Sequence, residues 1–88
     1  MSVPVHLSTH LRSYTHGESD VEGDGATLAE LMTDLDRRFP GIRFRVIDEQ
    51  DRIRPHMNFF VRGDLARDLT CRIAPGDEVL ILGALSGG

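Results

Sequence analysis

The chain ends in Val79-Leu80-Ile81-Leu82-Gly83-Ala84-Leu85-Ser86-Gly87-Gly88, an apolar run followed by a diglycine terminus. Residues 79–82 are apolar at both alternating positions, which a strand at the solvated edge of a sheet would not be. We therefore expect these four residues to form a central strand. The chain then divides into a folded domain, residues 1–83, and a short flexible tail, residues 84–88.

The tail has the properties of a segment on which other proteins act. Glycine has no Cβ, so Gly87 and Gly88 can enter a narrow tunnel with backbone angles that are closed to other residues. Counted from Gly83, extended residues carry the terminal carboxylate roughly 15–20 Å beyond the strand. The pattern predicts that the Gly88 carboxylate is the reactive group. The three residues that would precede it into a partner's active site are Gly87, Ser86 and Leu85. The alternative is a frayed terminus with no function. Two final glycines arise by chance in about 0.5% of chains.

The best-defined element is a helix that begins after Thr27. Thr27 and Glu30 have the spacing of a capping box, in which both side chains accept hydrogen bonds from otherwise unpaired backbone N–H groups. Apolar residues then recur at three- and four-residue spacing, as in a helix that covers a sheet: Leu28, Leu31, Met32, Leu35 and Phe39. Pro40-Gly41 ends the helix, because proline disfavours its continuation and glycine tolerates the exit angles.

Short apolar runs between turn residues predict strands on both sides of this helix. The predicted strands are residues 3–7, 19–22, 44–47, 58–61 and 79–82. Arg62-Gly63-Asp64 is a predicted turn. Ala74-Pro75-Gly76-Asp77 has proline and glycine in the second and third places of a type II turn, which leads into the final strand.

Composition limits the possible functions. The chain has 88 residues, enough for one domain with a modest core but not for an elaborate enzyme cleft. Ten arginines and no lysine stand against fourteen acidic residues, and the net charge of −4 disfavours a nucleic-acid partner. The single Cys71 can form no internal disulfide. With no secretion signal and no apolar run near the ~18–20 residues of a membrane span, we expect a cytoplasmic protein.

Catalytic and metal-binding motifs are missing from the sequence. It has no P-loop, G-x-S-x-G, H-E-x-x-H or C-x-x-C pattern. The four histidines have spacings that match no standard ligand pattern, so we expect no metal site. Cys71 lies between apolar and polar neighbours and is predicted to be a small, partly buried side chain. The sequence therefore predicts that the protein is not itself an enzyme.

The order strand, strand, helix, strand, strand, strand, followed by diglycine, resembles the MoaD and ThiS family of ubiquitin-like sulfur carriers, CysO-type carriers included. The residues that carry the resemblance are Thr27-Leu28, Phe39-Pro40-Gly41, Asn58-Phe59-Phe60-Val61, and Gly76-Asp77-Glu78-Val79 leading to Gly87-Gly88. The similarity spans nearly the whole chain and is most specific in its final third. It implies an α+β, β-grasp fold, with a mixed sheet of four to five strands packed on one main helix.

The resemblance also implies a reaction that partner enzymes perform. An adenylyltransferase of the ubiquitin-activating type would use ATP and Mg²⁺ to adenylate the Gly88 carboxylate, and sulfur transfer would yield a thiocarboxylate. A sulfur-accepting synthase would receive the sulfur for cysteine, molybdopterin or a related metabolite. The carrier itself would bind no cofactor. Phe59, Leu80 and Leu82, on apolar strands, are the predicted docking face.

Two other functional classes remain open at this point. A ubiquitin-like protein modifier would also need the diglycine, because it is conjugated through its terminal glycine. The absence of lysine disfavours chains of such a modifier, since no side-chain amine is available for a link between copies. A β-grasp binding module without any carrier function would not need the tail.

Overall fold

The computed structural model describes residues 2–83, and the elements below are those of this range. The strands are β1 (Ser2–Leu7), β2 (Asp20–Asp24), β3 (Met57–Val61), β4 (Asp64–Ala66) and β5 (Val79–Gly83). The α-helices are α1 (Leu28–Arg38) and α2 (Ile42–Val46), and a 3-10 helix spans Thr9–Thr15.

Within the described range the strands form one sheet in the order β2-β1-β5-β3-β4. The central pair, β1 and β5, is parallel, and the other neighbouring pairs are antiparallel. The prediction that residues 79–82 form a central strand is confirmed. A mixed sheet with one main helix across it is the β-grasp fold that the sequence predicts.

The core lies between one face of the sheet and α1. Alternate residues of the three middle strands point into it: Val3, Val5, Leu7, Met57, Phe59, Val61, Val79 and Ile81. From α1 the buried side chains are Leu28, Leu31, Met32 and Leu35. Full burial of one such side chain stabilises the fold by about 1.5–3 kcal/mol, whereas a helix cap contributes about 1 kcal/mol. Packing therefore fixes the position of α1, and capping defines its first residue.

The predicted capping residue is confirmed, with one difference in detail. The Thr27 hydroxyl accepts a hydrogen bond from the Glu30 N–H at 3.3 Å. The Glu30 carboxylate accepts from the N–H of Ala26 at 2.9 Å, one residue before the position that a standard capping box uses. The helix ends at Arg38, as Pro40-Gly41 predicts.

The strand predicted at residues 44–47 is wrong, because residues 42–46 form the short helix α2. Asp36 of α1 explains the difference: its carboxylate accepts hydrogen bonds from the N–H groups of Gly41 and Arg43, at 3.1 and 3.2 Å. Ile42 and Val46, four residues apart, are then buried on one side of the turn. A run that looks like a strand in isolation is thus held as a helix by a neighbouring helix.

Two elements follow from contacts that the sequence pattern does not reveal. The strand β4 is only three residues long and pairs with β3 after the turn at Arg62-Gly63. The 3-10 helix fills the connection between β1 and β2, and Leu11 from it is fully buried. The turn at residues 74–77 is as predicted, with Gly76 at φ +89° and the Asp77 N–H donating to the Ala74 carbonyl at 3.0 Å.

Candidate functional site: the open face of the sheet

The residues predicted to react or to enter a partner lie outside the described range. They are Gly88, Gly87, Ser86 and Leu85, all beyond the end of β5. The described structure ends at Gly83, which pairs with Met57 of β3 and donates its N–H to the Ser8 hydroxyl at 2.9 Å. The described geometry is therefore that of the strand that precedes residues 84–88 and of the sheet surface beside that strand.

One face of the sheet is not covered by the helices. The register places Leu80 of β5 opposite Phe60 of β3 on one side and His6 of β1 on the other. Phe60 is in turn opposite Leu65 of β4. Because residues directly opposite one another in a sheet project to the same side, these four side chains form a row across it. We call Phe60, Leu65, Leu80 and Leu82 the open-face patch.

The open-face patch consists of large apolar side chains that are exposed or partly exposed. Leu65 is 44% exposed, and Phe60, Leu80 and Leu82 are partly exposed. A groove of about 630 Å³ lies on this face, and its lining includes Pro4, His6, Phe60, Leu80 and Leu82. Exposed apolar surface with a polar rim is typical of a protein–protein contact.

The predicted docking residues divide between the two faces. Leu80 and Leu82 lie on the open face, beside the groove. Phe59 does not, because its side chain is fully buried in the core against the helix layer. The prediction of a docking role for Phe59 is therefore corrected: its neighbour Phe60 points to the open face. The alternation of β3 alone leaves the inward residue undecided, and only the register with β5 assigns it.

Charged side chains border the groove at both ends. At one end His6 Nδ1 lies 2.8 Å from Asp20 Oδ1. This hydrogen bond from His6, with a second from Ser19, lowers the pKa of Asp20 below its usual range, so Asp20 is ionised at neutral pH. At the other end Arg62 Nε lies 3.4 Å from Asp77 Oδ1, and Glu78 is exposed.

Six of the ten arginines lie between residues 37 and 54, and exposed or partly exposed members of this group pair with carboxylates. Arg43 pairs with Asp51 at 2.8 Å, and Arg52 lies 3.7 Å from Asp48. Exposed pairs of this kind contribute at most about 1 kcal/mol to stability. Phe44, in the same segment, is 62% exposed, with the Arg54 guanidinium 4.6 Å from its ring centroid.

The described residues contain neither a metal-binding cluster nor a membrane-spanning helix. Between residues 2 and 83, no three or more His, Cys, Asp or Glu side chains come together in a way that could hold a metal ion. In the same range no helix has the length and apolar character needed to cross a membrane. Cys71 is partly buried, as predicted.

The fold and its uncovered face define the class of protein: a ubiquitin-like β-grasp domain. Comparison with known proteins gives the family. Residues 5–88 match the model of the ThiS family. The sulfur carrier protein CysO of Mycobacterium tuberculosis is 36% identical over 93 aligned residues, which cover all of both chains.

Solved structures agree with this match. A chain of the Amycolatopsis orientalis BexX/CysO complex superposes with a TM-score of 0.89 at 34% identity, over 98% of this chain and 99% of that one. SAMP1 from Haloferax volcanii superposes with a TM-score of 0.83 at 26% identity, over 100% of both chains. The chain therefore belongs to the ThiS family, and it is a sulfur carrier protein that is not itself catalytic.

Proposed function

We propose that the protein carries sulfur on the carboxyl carbon of Gly88. A carboxylate with an ordinary pKa of ~3.5 is ionised at neutral pH and does not exchange oxygen for sulfur unaided. In the proposed first step, a Gly88 carboxylate oxygen attacks the α-phosphorus of ATP in a partner adenylyltransferase, and pyrophosphate leaves. The ATP and Mg²⁺ belong to that partner.

In the proposed second step, a sulfur nucleophile attacks the activated carboxyl carbon of Gly88. The bond between that carbon and the phosphate oxygen breaks, and AMP leaves. When the sulfur is delivered as sulfide, the product is a thiocarboxylate directly. Like a thiolate, its anionic sulfur is a strong nucleophile, and it attacks an electrophile held by a sulfur-accepting synthase. Gly87, which has no Cβ, allows the terminus into a narrow active site, with Ser86 and Leu85 at the entrance.

The observation that carries the proposal is the full-length match to CysO, which extends through Gly88 together with the family model. The topology supports it, because β5 is central and hydrogen-bonded on both sides. Residues 84–88 therefore follow a central strand of the sheet rather than an edge strand. Of the candidate recipients, the similarity to CysO favours cysteine over molybdopterin or a related metabolite.

The open-face patch is the proposed docking surface for these partners. It lies on β3, β4 and β5, and Leu82 is one position before the end of the strand that leads to the terminus. The known BexX/CysO complex of A. orientalis shows that a similar protein binds a protein partner. We propose that the partners here bind the same strand that presents the terminus, in the cytoplasm and without nucleic acid.

The experiment uses the full-length chain, its cognate adenylyltransferase, MgATP and a sulfide source. Intact-mass measurement should show first the acyl-adenylate and then replacement of one carboxyl oxygen by sulfur. A variant lacking Gly88, and one with a residue appended after it, should fold normally and remain unmodified. Thiolation of either variant, or a wild-type chain that is never adenylated, would refute the proposal.

The same experiment separates the carrier from a protein modifier. A modifier would yield isopeptide bonds between Gly88 and lysines of target proteins, detectable as branched peptides after proteolysis. A β-grasp binding module would keep its binding activity when Gly88 is removed.

A further inference from the structure

Ser8 occupies the point at which β1 gives way to the 3-10 helix. Its N–H donates to the carbonyl of Ile81 on β5 at 3.0 Å, which continues the parallel pairing of the two strands by one step. The chain then turns, and the Ser8 carbonyl accepts the N–H of Leu11 at 3.0 Å. The N–H of Ser8 thus bonds to the sheet, whereas its carbonyl bonds to the turn.

The side chain of Ser8 completes the pairing that its backbone leaves. If the parallel ladder continued, the Ser8 carbonyl would accept a hydrogen bond from the N–H of Gly83. Because that carbonyl is bonded to Leu11, the hydroxyl accepts the Gly83 N–H instead, at 2.9 Å and in a partly buried position. The hydroxyl therefore substitutes for a backbone acceptor at the last described residue of β5.

Gly83 is held on its other side by β3. It pairs with Met57, and a Cβ built on Gly83 would lie 3.2 Å from both Cε and Sδ of that methionine. The same Cβ would be 3.6 Å from the Ser8 hydroxyl oxygen. The end of the Met57 side chain therefore packs closely against Gly83, and the Ser8 hydroxyl lies in van der Waals range of the same position.

We propose that Ser8 is a positioning residue for the reaction at the C-terminus, because its hydroxyl fixes Gly83, the last described residue of β5, five residues before Gly88. This inference rests on the proposed function. Fixing a backbone residue has an entropic cost, and a residue already fixed in the free carrier adds none when the carrier binds. Without the hydroxyl, Gly83 would be held by β3 alone, and more of its ordering would take place on each encounter with the activating enzyme.

The first test is direct and needs no enzyme. Amide hydrogen exchange, measured by NMR on the full-length chain, should be at least about tenfold faster at Gly83 in Ser8→Ala than in wild type. The Leu11 amide, which donates to the Ser8 carbonyl, is the internal control and should keep its wild-type rate. Ser8→Thr retains a hydroxyl and should restore slow exchange at Gly83.

The second test is the adenylation reaction with the same variants. Ser8→Ala should raise the KM for the carrier about three- to tenfold and leave kcat unchanged, since only binding is affected. Ser8→Thr should recover the wild-type KM. Thr33→Ala, which removes a hydroxyl bonded to a backbone carbonyl within α1, is the matched control and should match wild type.

The outcomes distinguish this inference from the proposed function. Normal adenylation of Ser8→Ala with wild-type KM, or wild-type exchange at Gly83, overturns the role of Ser8 and leaves the carrier function standing. A wild-type chain that is never adenylated overturns the carrier function and the positioning role with it.

Discussion

Individual residues decide how closely α1 approaches the sheet, and Gly25 is the sharpest example. A Cβ at Gly25 would lie 2.4 Å from the backbone nitrogen of Leu31 and 2.9 Å from its Cα. Backbone atoms inside a helix cannot move without displacing the helix. At Gly23 the nearest atom is a side-chain methyl of Leu31, at 2.7 Å, which can rotate away. Gly25 is therefore required sterically, whereas Gly23 is favoured.

This difference predicts the order of two stability losses. Gly25→Ala should lower the free energy of unfolding by about 3 kcal/mol, because the added methyl group collides with helix backbone. Gly23→Ala should cost about 1 kcal/mol. Urea unfolding followed by circular dichroism measures both, with an unchanged m-value as the sign of two-state behaviour. An equal loss at the two positions would contradict the steric argument.

Single residues with local roles were predictable from the sequence, and those with distant partners were not. Thr27 caps α1 and Gly76 takes a positive φ, both for reasons contained within four residues. The steric requirement at Gly25 was not predictable, because its contact is with a helix residue six positions away. Phe59 and Phe60 are equivalent by composition, and only the register of β3 with β5 separates core from surface.

At the level of elements, α1 is tied to β2 by one carboxylate. Asp34 Oδ2 accepts the backbone N–H of Asp24 at 2.9 Å, and Asp34 also pairs with Arg37 and with Arg38. The hydrogen bond from Asp24 is the main cause, and that from Arg37 a further one, of a pKa of Asp34 below its usual range. The folded state thus favours the ionised carboxylate at the junction of helix and strand.

The lowered pKa predicts how stability responds to acid. The contribution of Asp34 is complete above its ordinary pKa in the unfolded chain and is lost as pH falls through the lower pKa of the folded state. Asp34→Asn should therefore be less stable than wild type at pH 7, and the two melting temperatures should converge as the pH is lowered below about 4. Thr33→Ala removes no ionisable group and should keep the full acid dependence. A constant difference between wild type and Asp34→Asn from pH 7 to pH 2 would count against this account.

Elements with their own periodicity were predictable, and those defined by a neighbour were not. The apolar stripe and the terminal Pro40-Gly41 define α1 without reference to the rest of the chain. Residues 44–47 have strand-like composition, yet Asp36 holds the first turn of α2 with two backbone hydrogen bonds. The strand β4 is too short to show a pattern and exists through its pairing with β3.

At the scale of the whole molecule, the sheet has two unlike faces. One is covered by the helices and contains the core, and the other carries the open-face patch with charged residues at its borders. The overall topology could be predicted although one strand was misplaced, because β4 supplies the strand that residues 44–47 do not. The identity of the docking residues required the three-dimensional register.

The open-face patch can be tested with a pair of matched substitutions. Phe60→Ala should weaken binding of the cognate adenylyltransferase about tenfold or more, as expected for an aromatic residue near the centre of an interface. Phe44→Ala removes the same side chain from α2, whose buried residues join the helix-side core, and should change affinity by less than about twofold. Titration calorimetry with the full-length variants provides the measurement. Equal weakening by both substitutions would show that the partner does not select the open face.

The pairing of β1 with β5 also has a consequence for biosynthesis. The first and the last strands of the described chain are neighbours at the middle of the sheet, so the hairpins on either side cannot join until residue 83 has been translated. Contacts so distant in sequence form late in folding. A copy truncated before β5 would lack the strand that unites the two halves and would be a target for proteases. Copies that survive in the cell should therefore be those synthesised at least through β5.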